Sequence, residues 1–278
     1  MHQNDNGVRI YSHTSLALWK LCKRRWHQRY RMGRKEPTTD NMAAGTWLVQ
    51  EPIEKFHQRE GVWDEGFEPA LSESHWANFL AEFGGDDDYN SGIFTTKLAS
   101  QVLAAYRGTP VKGDVVAIED RFFKDMPTAS TLYQSKPDLV VDRGGERVVW
   151  DIKLKTFNQS RVNDDFFVKP ELSPFDDQGV GQAVCAGASA FGQIQFWLGK
   201  KDGILRGPFY VERPLDPVLT QEWKSETCSE IAEIESWLKR GPHAPWPKND
   251  QSCNAFGRAC SYRAECRFGF EAAPLTSR

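Results

Sequence analysis

The sequence predicts an α/β fold: a mixed central β-sheet flanked by helices, with N-terminal helices before it and a cysteine-rich region after it. Three observations carry this. Up to about residue 110, apolar side chains recur at helical spacing. Between 114 and 155 the spacing changes to short runs of Val, Ile, Leu and aromatics parted by turn residues. Beyond them a helix, two more strand-like runs and a long amphipathic helix follow, an order that suits one sheet with helices packed on it. The 278 residues, 40% of them hydrophobic, are enough for a sizeable core. They are read as a single domain with a helical part (1–110), an α/β core (111–213) and a helix with a cysteine tail (214–278).

Residues 14–32 read as a helix capped by Thr14 or Ser15, with Leu16, Leu18, Trp19, Leu21, Trp26 and Tyr30 at helical spacing. Further helices are expected over about 43–57, despite Pro52, over 72–83 and over 95–107. Residues 114–123, 131–141 and 147–155 read as a three-stranded meander, and the DRGGE of Asp142–Glu146 is the strongest hairpin signal. Residues 156–175 read as an irregular polar connection. A helix over 178–190, strands over 193–199 and 204–213, and a helix over 217–240 complete the pattern. No stretch approaches the ~20 apolar residues that cross a bilayer. The opening MHQNDNGVRI lacks the parts of a signal peptide. A soluble cytoplasmic protein with no membrane partner is therefore expected.

The formal charge of −3 neither advertises nor excludes a polyanionic partner, because a local basic groove matters more than the sum. One basic run exists: eight Lys or Arg and no acid lie between Lys20 and Lys35. Lys23, Arg24 and Arg25 at its centre are candidates for phosphate contact, and Arg258, Arg263 and Arg267 add to them. Trp19, Trp26 and Tyr30 interleave with the run and read as core. Of six cysteines, Cys253, Cys260 and Cys266 fall in the last 26 residues, which reads as zinc or iron–sulfur ligation more readily than as disulfides. Cys185 and Cys228 read as core.

The chemistry is concentrated in KPDLVVDRGGERVVWDIKLK. Asp151 and Lys153 are two apart on one strand and so share a face, and a hairpin brings Asp138 beside them. Two carboxylates and an ammonium in an otherwise apolar strand suit phosphodiester hydrolysis. Asp138, Asp151 and the Ile152 carbonyl offer oxygen ligands to Mg²⁺ or Mn²⁺. Such an ion polarises the phosphoryl oxygen and acidifies the attacking water, while Lys153 steadies the growing charge. The competing explanation is a surface ion pair on an edge strand, with Asp138 a turn residue.

On these motifs the chain resembles the PD-(D/E)XK nuclease superfamily with its restriction-endonuclease-like core, in particular the RecB-like iron–sulfur branch. That branch includes the C-terminal nuclease domains of RecB and AddB and CRISPR-associated and phage exonucleases. The resemblance runs through YSHTSLALWKLCKRRWHQRY, GTWLVQEPIE, IED (Glu119), KPDLVV, WDIKLK, DDQGVGQA and the closing cysteines. It implies that Gln50, at the place of the family's metal-binding His, and Glu54 join the metal ligands. It also implies that Gln178 takes the Gln place of a Gln-x-x-x-Tyr motif that orients substrate or Lys153. Gln182 stands where the Tyr would be, as a DNA contact. Cys22 is implied as the fourth ligand of a 4Fe-4S cluster, with zinc as the alternative. The implied activity is a Mg²⁺- or Mn²⁺-dependent deoxyribonuclease, an exonuclease acting on single-stranded DNA or free ends in DNA processing, with homo-oligomerisation possible. The replacement of His and Tyr motivates the alternative of a weak or inactive nuclease scaffold that binds DNA.

Overall fold

The computed structural model describes residues 7–59, 67–86, 89, 93–126, 131–157, 177–241, 244–257, 260–263 and 266. The polar connection expected over 156–175 lies, from 158 on, outside the described residues, as do Arg258 and Arg267. The chain forms two compact units and passes between them four times: residues 1–37, 123–135 and 217–278 make the first, and 38–122 and 136–216 the second. No helix among the described residues is long and apolar enough to cross a membrane.

The first unit contains β1 (Ile10–Ser12), α1 (His13–Leu21) and α2 (Lys23–Trp26), which opens into a wide π-type turn over His27–Arg31. The cap of α1 is Ser12, not Thr14 or Ser15. Its hydroxyl accepts from the Ser15 N–H, and Ser15 Oγ accepts in return from the Ser12 N–H at 3.0 Å. This reciprocal arrangement satisfies two donors at once. The expected single helix is broken at Cys22, whose backbone is extended. Trp19 and Trp26 flank the break and are buried as expected, 5.4 Å apart and edge-on. Strands β3 (Phe122–Met126) and β4 (Thr131–Ser135) join β1 in a sheet of order β1-β4-β3. The long C-terminal helix Pro217–Lys239, called α8 below, brings Glu235 to the Tyr11 hydroxyl at 2.6 Å and Glu233 to the Trp19 indole N–H at 2.9 Å.

The second unit begins with α3 (Asp40–Ala44), a wide π-type turn (Gly45–Gln50) and α4 (Glu51–Gln58), which run on as one helical stretch. Pro52 explains the wide turn. It has no N–H to give, and its ring would press on the carbonyl four residues back in a regular helix. The stretch therefore opens just before it, and the Glu51 N–H reaches back to the Thr46 carbonyl. Helices α5 (Phe67–Phe83) and α6 (Leu98–Gly108) follow. The sheet contains β2 (Asp114–Ile118), β5 (Leu139–Asp142), β6 (Arg147–Phe157), β7 (Ala190–Gly199) and β8 (Leu205–Pro214) in the order β2-β5-β6-β7-β8. Helix α7 (Asp177–Ala186) lies between β6 and β7 in the chain. All pairings are antiparallel except β6 with β7, so the sheet is mixed, as expected.

Val148, Trp150 and Ile152 share a core with Leu48, Val49 and Ile53 of the first helical stretch and Val102 and Tyr106 of α6. On the other face Gly179 of α7 comes so close to Phe191 that a Cβ would lie 2.5 Å from its ring. The hairpin at Asp142–Arg147 is where the sequence places it. The Arg143 N–H donates to the Glu146 carbonyl at 2.9 Å, and Gly144 and Gly145 take the left-handed conformations the turn needs.

Gly192 of β7 stands opposite Trp150, and a Cβ there would lie 2.5 Å from the indole and 2.8 Å from the Val211 carbonyl. Gly192→Ala is expected to lower unfolding free energy by about 1 to 3 kcal/mol through overpacking. A urea titration with an unchanged midpoint would contradict this packing.

Candidate active site

The pairing register creates the site. Ile118 of β2 pairs with Leu139 of β5, and Leu139 pairs with Trp150 of β6. One residue beyond this row come Glu119, Asp138 and Asp151, so three carboxylates gather where three strands end or diverge. The Glu119 N–H donates to the Asp138 carbonyl at 3.1 Å, and the Ile152 N–H donates to Asp138 Oδ2 at 2.5 Å. These two bonds fix Asp138 from both neighbouring strands. Glu119 sits at φ 55°, a left-handed backbone that non-glycine residues rarely adopt.

The helical stretch supplies two more side chains. Gln50 ends the wide turn and Glu54 lies one α-helical turn on. The Gln50 amide nitrogen lies within hydrogen-bond distance of Glu54 Oε1 at 2.7 Å, Glu119 Oε1 at 3.0 Å and Asp138 Oδ1 at 3.1 Å, with two hydrogens to share among them. One carboxylate oxygen each from Glu54, Glu119 and Asp138 lie within 4.8 Å of one another. Lys136 pairs with the other Glu119 oxygen. Beside this group, Lys153 Nζ is 2.7 Å from Asp151 Oδ2, and the Gln178 amide donates to Asp151 Oδ1 at 3.0 Å. Asp138 and Asp151 are 7% and 5% exposed, Glu54 3%, whereas the Lys153 side chain is 36% exposed. Lys153 and Glu119 are thus partly accessible, whereas Glu54, Asp138 and Asp151 are buried.

Burial is costly to these acids. It is the largest cause of the rise of Glu54 from 4.5 to about 7, with the Glu119 charge adding and the Gln50 hydrogen bond opposing. Asp138 is raised well above the ordinary carboxylate value, again by burial first and then by the Asp151 charge, against the Ile152 N–H and Lys153.

No protein-family model matches the chain, and no curated protein matches it. Similar solved structures include an alkaline exonuclease, LHK-Exo, from Laribacter hongkongensis, which is 17% identical and matched over 73% of this chain and 92% of that one, with a TM-score of 0.34. A candidate exonuclease from Eubacterium rectale is 11% identical and matched over 97% of this chain and 90% of that one, with a TM-score of 0.49. At such distance the chemistry has to be read from the residues themselves.

Of the residues singled out in the sequence, Gln50, Glu54 and Asp138 converge in one group, and Asp151, Lys153 and Gln178 in an adjoining one. Gln178 holds Asp151, the partner of Lys153. Ile152 contributes its N–H to Asp138. Gln182, one turn beyond Gln178, is 3% exposed, and its buried side-chain oxygen has no hydrogen-bond partner among the described residues. Glu119 is the functional candidate that sequence reasoning had not placed among the ligands. Its signal is positional: it follows an apolar strand that turns out to pair with β5.

In the first unit, Lys23 pairs with Glu233, and Arg24 Nε donates to the Trp246 carbonyl at 3.1 Å. Arg25 makes a two-pronged pair with Glu36 at 2.7 and 2.6 Å. Phosphate contact by any of them competes with these partners. Of the four cysteines Cys22, Cys253, Cys260 and Cys266, two are tied by a backbone bond: the Cys260 N–H donates to the Cys253 carbonyl at 2.8 Å. Burial raises both Cys260 and Cys266. Among the described residues, however, only the three carboxylates crowd as closely as 4.8 Å.

The carboxylate group fits a hard divalent cation: its donors are oxygen only, and Lys136 is the one cation paired directly with it among the described residues. The site also sets a pH dependence. The folded chain keeps a proton on Glu54 in the window from 4.5 to about 7 where the unfolded chain has lost it, so stability falls as pH rises through that window. In chelator, the unfolding midpoint is expected to fall across this range, and Glu54→Gln to flatten the slope. An equal slope in the variant would show that Glu54 is not the group responsible.

Proposed function

We propose that the chain is a Mg²⁺- or Mn²⁺-dependent deoxyribonuclease that hydrolyses phosphodiester bonds, working as an exonuclease on single-stranded DNA or free DNA ends. The observation that carries this reading is the juxtaposition of the Glu54–Glu119–Asp138 oxygens with the Asp151–Lys153 pair on the next strand. Glu54, Glu119 and Asp138, with Gln50, would hold the cation, and Asp151 and the Ile152 carbonyl border it. A cation there polarises a phosphoryl oxygen and acidifies water.

The chain's own groups do the positioning. Asp151 holds the Lys153 ammonium at the mouth of the pocket, where it meets the negative charge that grows on the phosphate. Gln178 grips the other oxygen of Asp151, so that the carboxylate, and through it Lys153, has one orientation. Asp138, bonded from both sides, keeps its place whether or not it carries a proton. Exonucleolytic mode and DNA as substrate follow the sequence resemblance.

End-labelled single- and double-stranded DNA with Mg²⁺, Mn²⁺ or EDTA tests this. Asp138→Ala, Asp151→Ala and Lys153→Ala are each expected to cut slower by at least about a hundredfold, with DNA binding retained. Metal-independent cutting, or cutting unchanged in all three, would refute the assignment. Binding without cutting in the wild type would favour the inactive scaffold.

We also infer that Cys22, Cys253, Cys260 and Cys266 ligate a 4Fe-4S cluster, with zinc as the alternative. The spacing of the closing cysteines in the sequence resemblance supports it, as does the backbone bond from Cys260 to Cys253. Anaerobically purified protein is expected to contain iron and acid-labile sulfide, lost in Cys260→Ser. Stoichiometric zinc would select the alternative, and protein free of both metals would dismiss the site.

A further inference from the structure

Gln50 occupies the point on which the three carboxylates converge. Its amide nitrogen has three carboxylate oxygens at 2.7, 3.0 and 3.1 Å, yet a primary amide carries only two hydrogens. Three carboxyl oxygens around one nitrogen resemble the shell of a cation more than the partners of a neutral donor. The side chain is also placed to do this by the backbone: it ends the wide turn forced by Pro52 and lies four residues before Glu54.

A half-turn about the last side-chain torsion exchanges the NH₂ and the oxygen of the amide with almost no change of shape. Nitrogen inward, the group offsets the mutual repulsion of Glu54, Glu119 and Asp138. Oxygen inward, it would add a fourth negative dipole to the cluster once the carboxyls are ionised, which then calls for a cation at the centre. The two orientations therefore belong to two different occupants of the same space.

We propose that Gln50 is a two-state positioning residue: with its nitrogen inward it stands in for the cation and keeps the carboxylates gathered, and with its oxygen inward it becomes a ligand. This rests on the reading that the cluster takes a divalent cation. The glutamine makes the site all-oxygen, and that composition favours Mg²⁺ and Mn²⁺ over Zn²⁺. It also lets the site keep its form through loss and recovery of the ion.

The test compares wild type, Gln50→Met and Gln50→Glu by Mn²⁺ titration calorimetry and by thermal unfolding in EDTA. Gln50→Met, similar in length but unable to donate or ligate through oxygen, is expected to unfold at lower temperature in EDTA and to bind Mn²⁺ about tenfold more weakly. Gln50→Glu is expected to unfold lower still in EDTA and to bind Mn²⁺ more tightly. In the wild type, the ¹⁵N resonance of the Gln50 side-chain amide is expected to shift on addition of Mg²⁺. Tighter Mn²⁺ binding by Gln50→Met would mean a mere plug and would overturn the proposal. So would unaltered binding and unfolding in that variant, or a wild type that binds no Mn²⁺. A wild type that binds Mn²⁺ with this dependence but cuts no DNA would defeat the nuclease reading alone. Cutting that needs Asp138 but ignores Gln50→Met would defeat the proposal alone.

Discussion

The candidate site depends on the antiparallel register that joins β2, β5 and β6. Side chains alternate between faces with a period of two, so a slip of one residue would send Asp151 and Lys153 to the face packed on Leu48, Val49, Ile53 and α6, and Trp150 and Ile152 to the site. The strand itself prevents this. Residues 148–152 of β6 are all buried, and Trp150 fills a space that Gly192 leaves open on the neighbouring strand. Apolar packing on one face therefore sets the placement of charge on the other.

That placement works against local stability. Glu119 is held at a left-handed backbone, a conformation that costs of order 1–3 kcal/mol for a residue with a side chain. Glu54 and Asp138 are buried near each other and raised in pKa, mainly by burial and partly by neighbouring charge. The surrounding structure compensates with directed bonds: the Ile152 N–H to Asp138, Gln178 to Asp151, Lys136 to Glu119 and the Gln50 amide to three oxygens. Local cost held in place by a rigid frame is common where a protein must bind a charged group tightly but exchangeably.

The mixed sheet and its flanking helices were legible in the sequence because apolar period changes at the right places. So was the hairpin that unites Asp138 with Asp151 and Lys153, because Gly144 and Gly145 mark its turn. Other features were not legible, for physical reasons. The runs 114–123 and 131–141 each look like one strand, yet each divides between two sheets. The second divides at Lys136–Pro137, where proline lacks a ladder donor and restricts the residue before it. Cys22 breaks a helix whose apolar spacing continues through it, and Ser12 caps that helix from the end of a strand. Glu119 enters the site only through the pairing of β2 with β5, a long-range fact that no local pattern encodes.

The wide turn over Gly45–Gln50 has a consequence for the tolerance of this helix to change in length. A π-type turn contains one residue more than the regular turn it replaces. The stretch thus carries a spare residue immediately ahead of Gln50 and Glu54. Removing one residue there would let the turn close to regular α-helix with both flanking faces still in phase, provided Pro52, whose ring holds the turn open, were replaced as well. Removing one after Pro52 would instead rotate everything beyond it by about 100°. Insertions and deletions in this helix are therefore not equivalent along its length: the half before the site has slack once Pro52 is replaced, and the half that carries Glu54 has none.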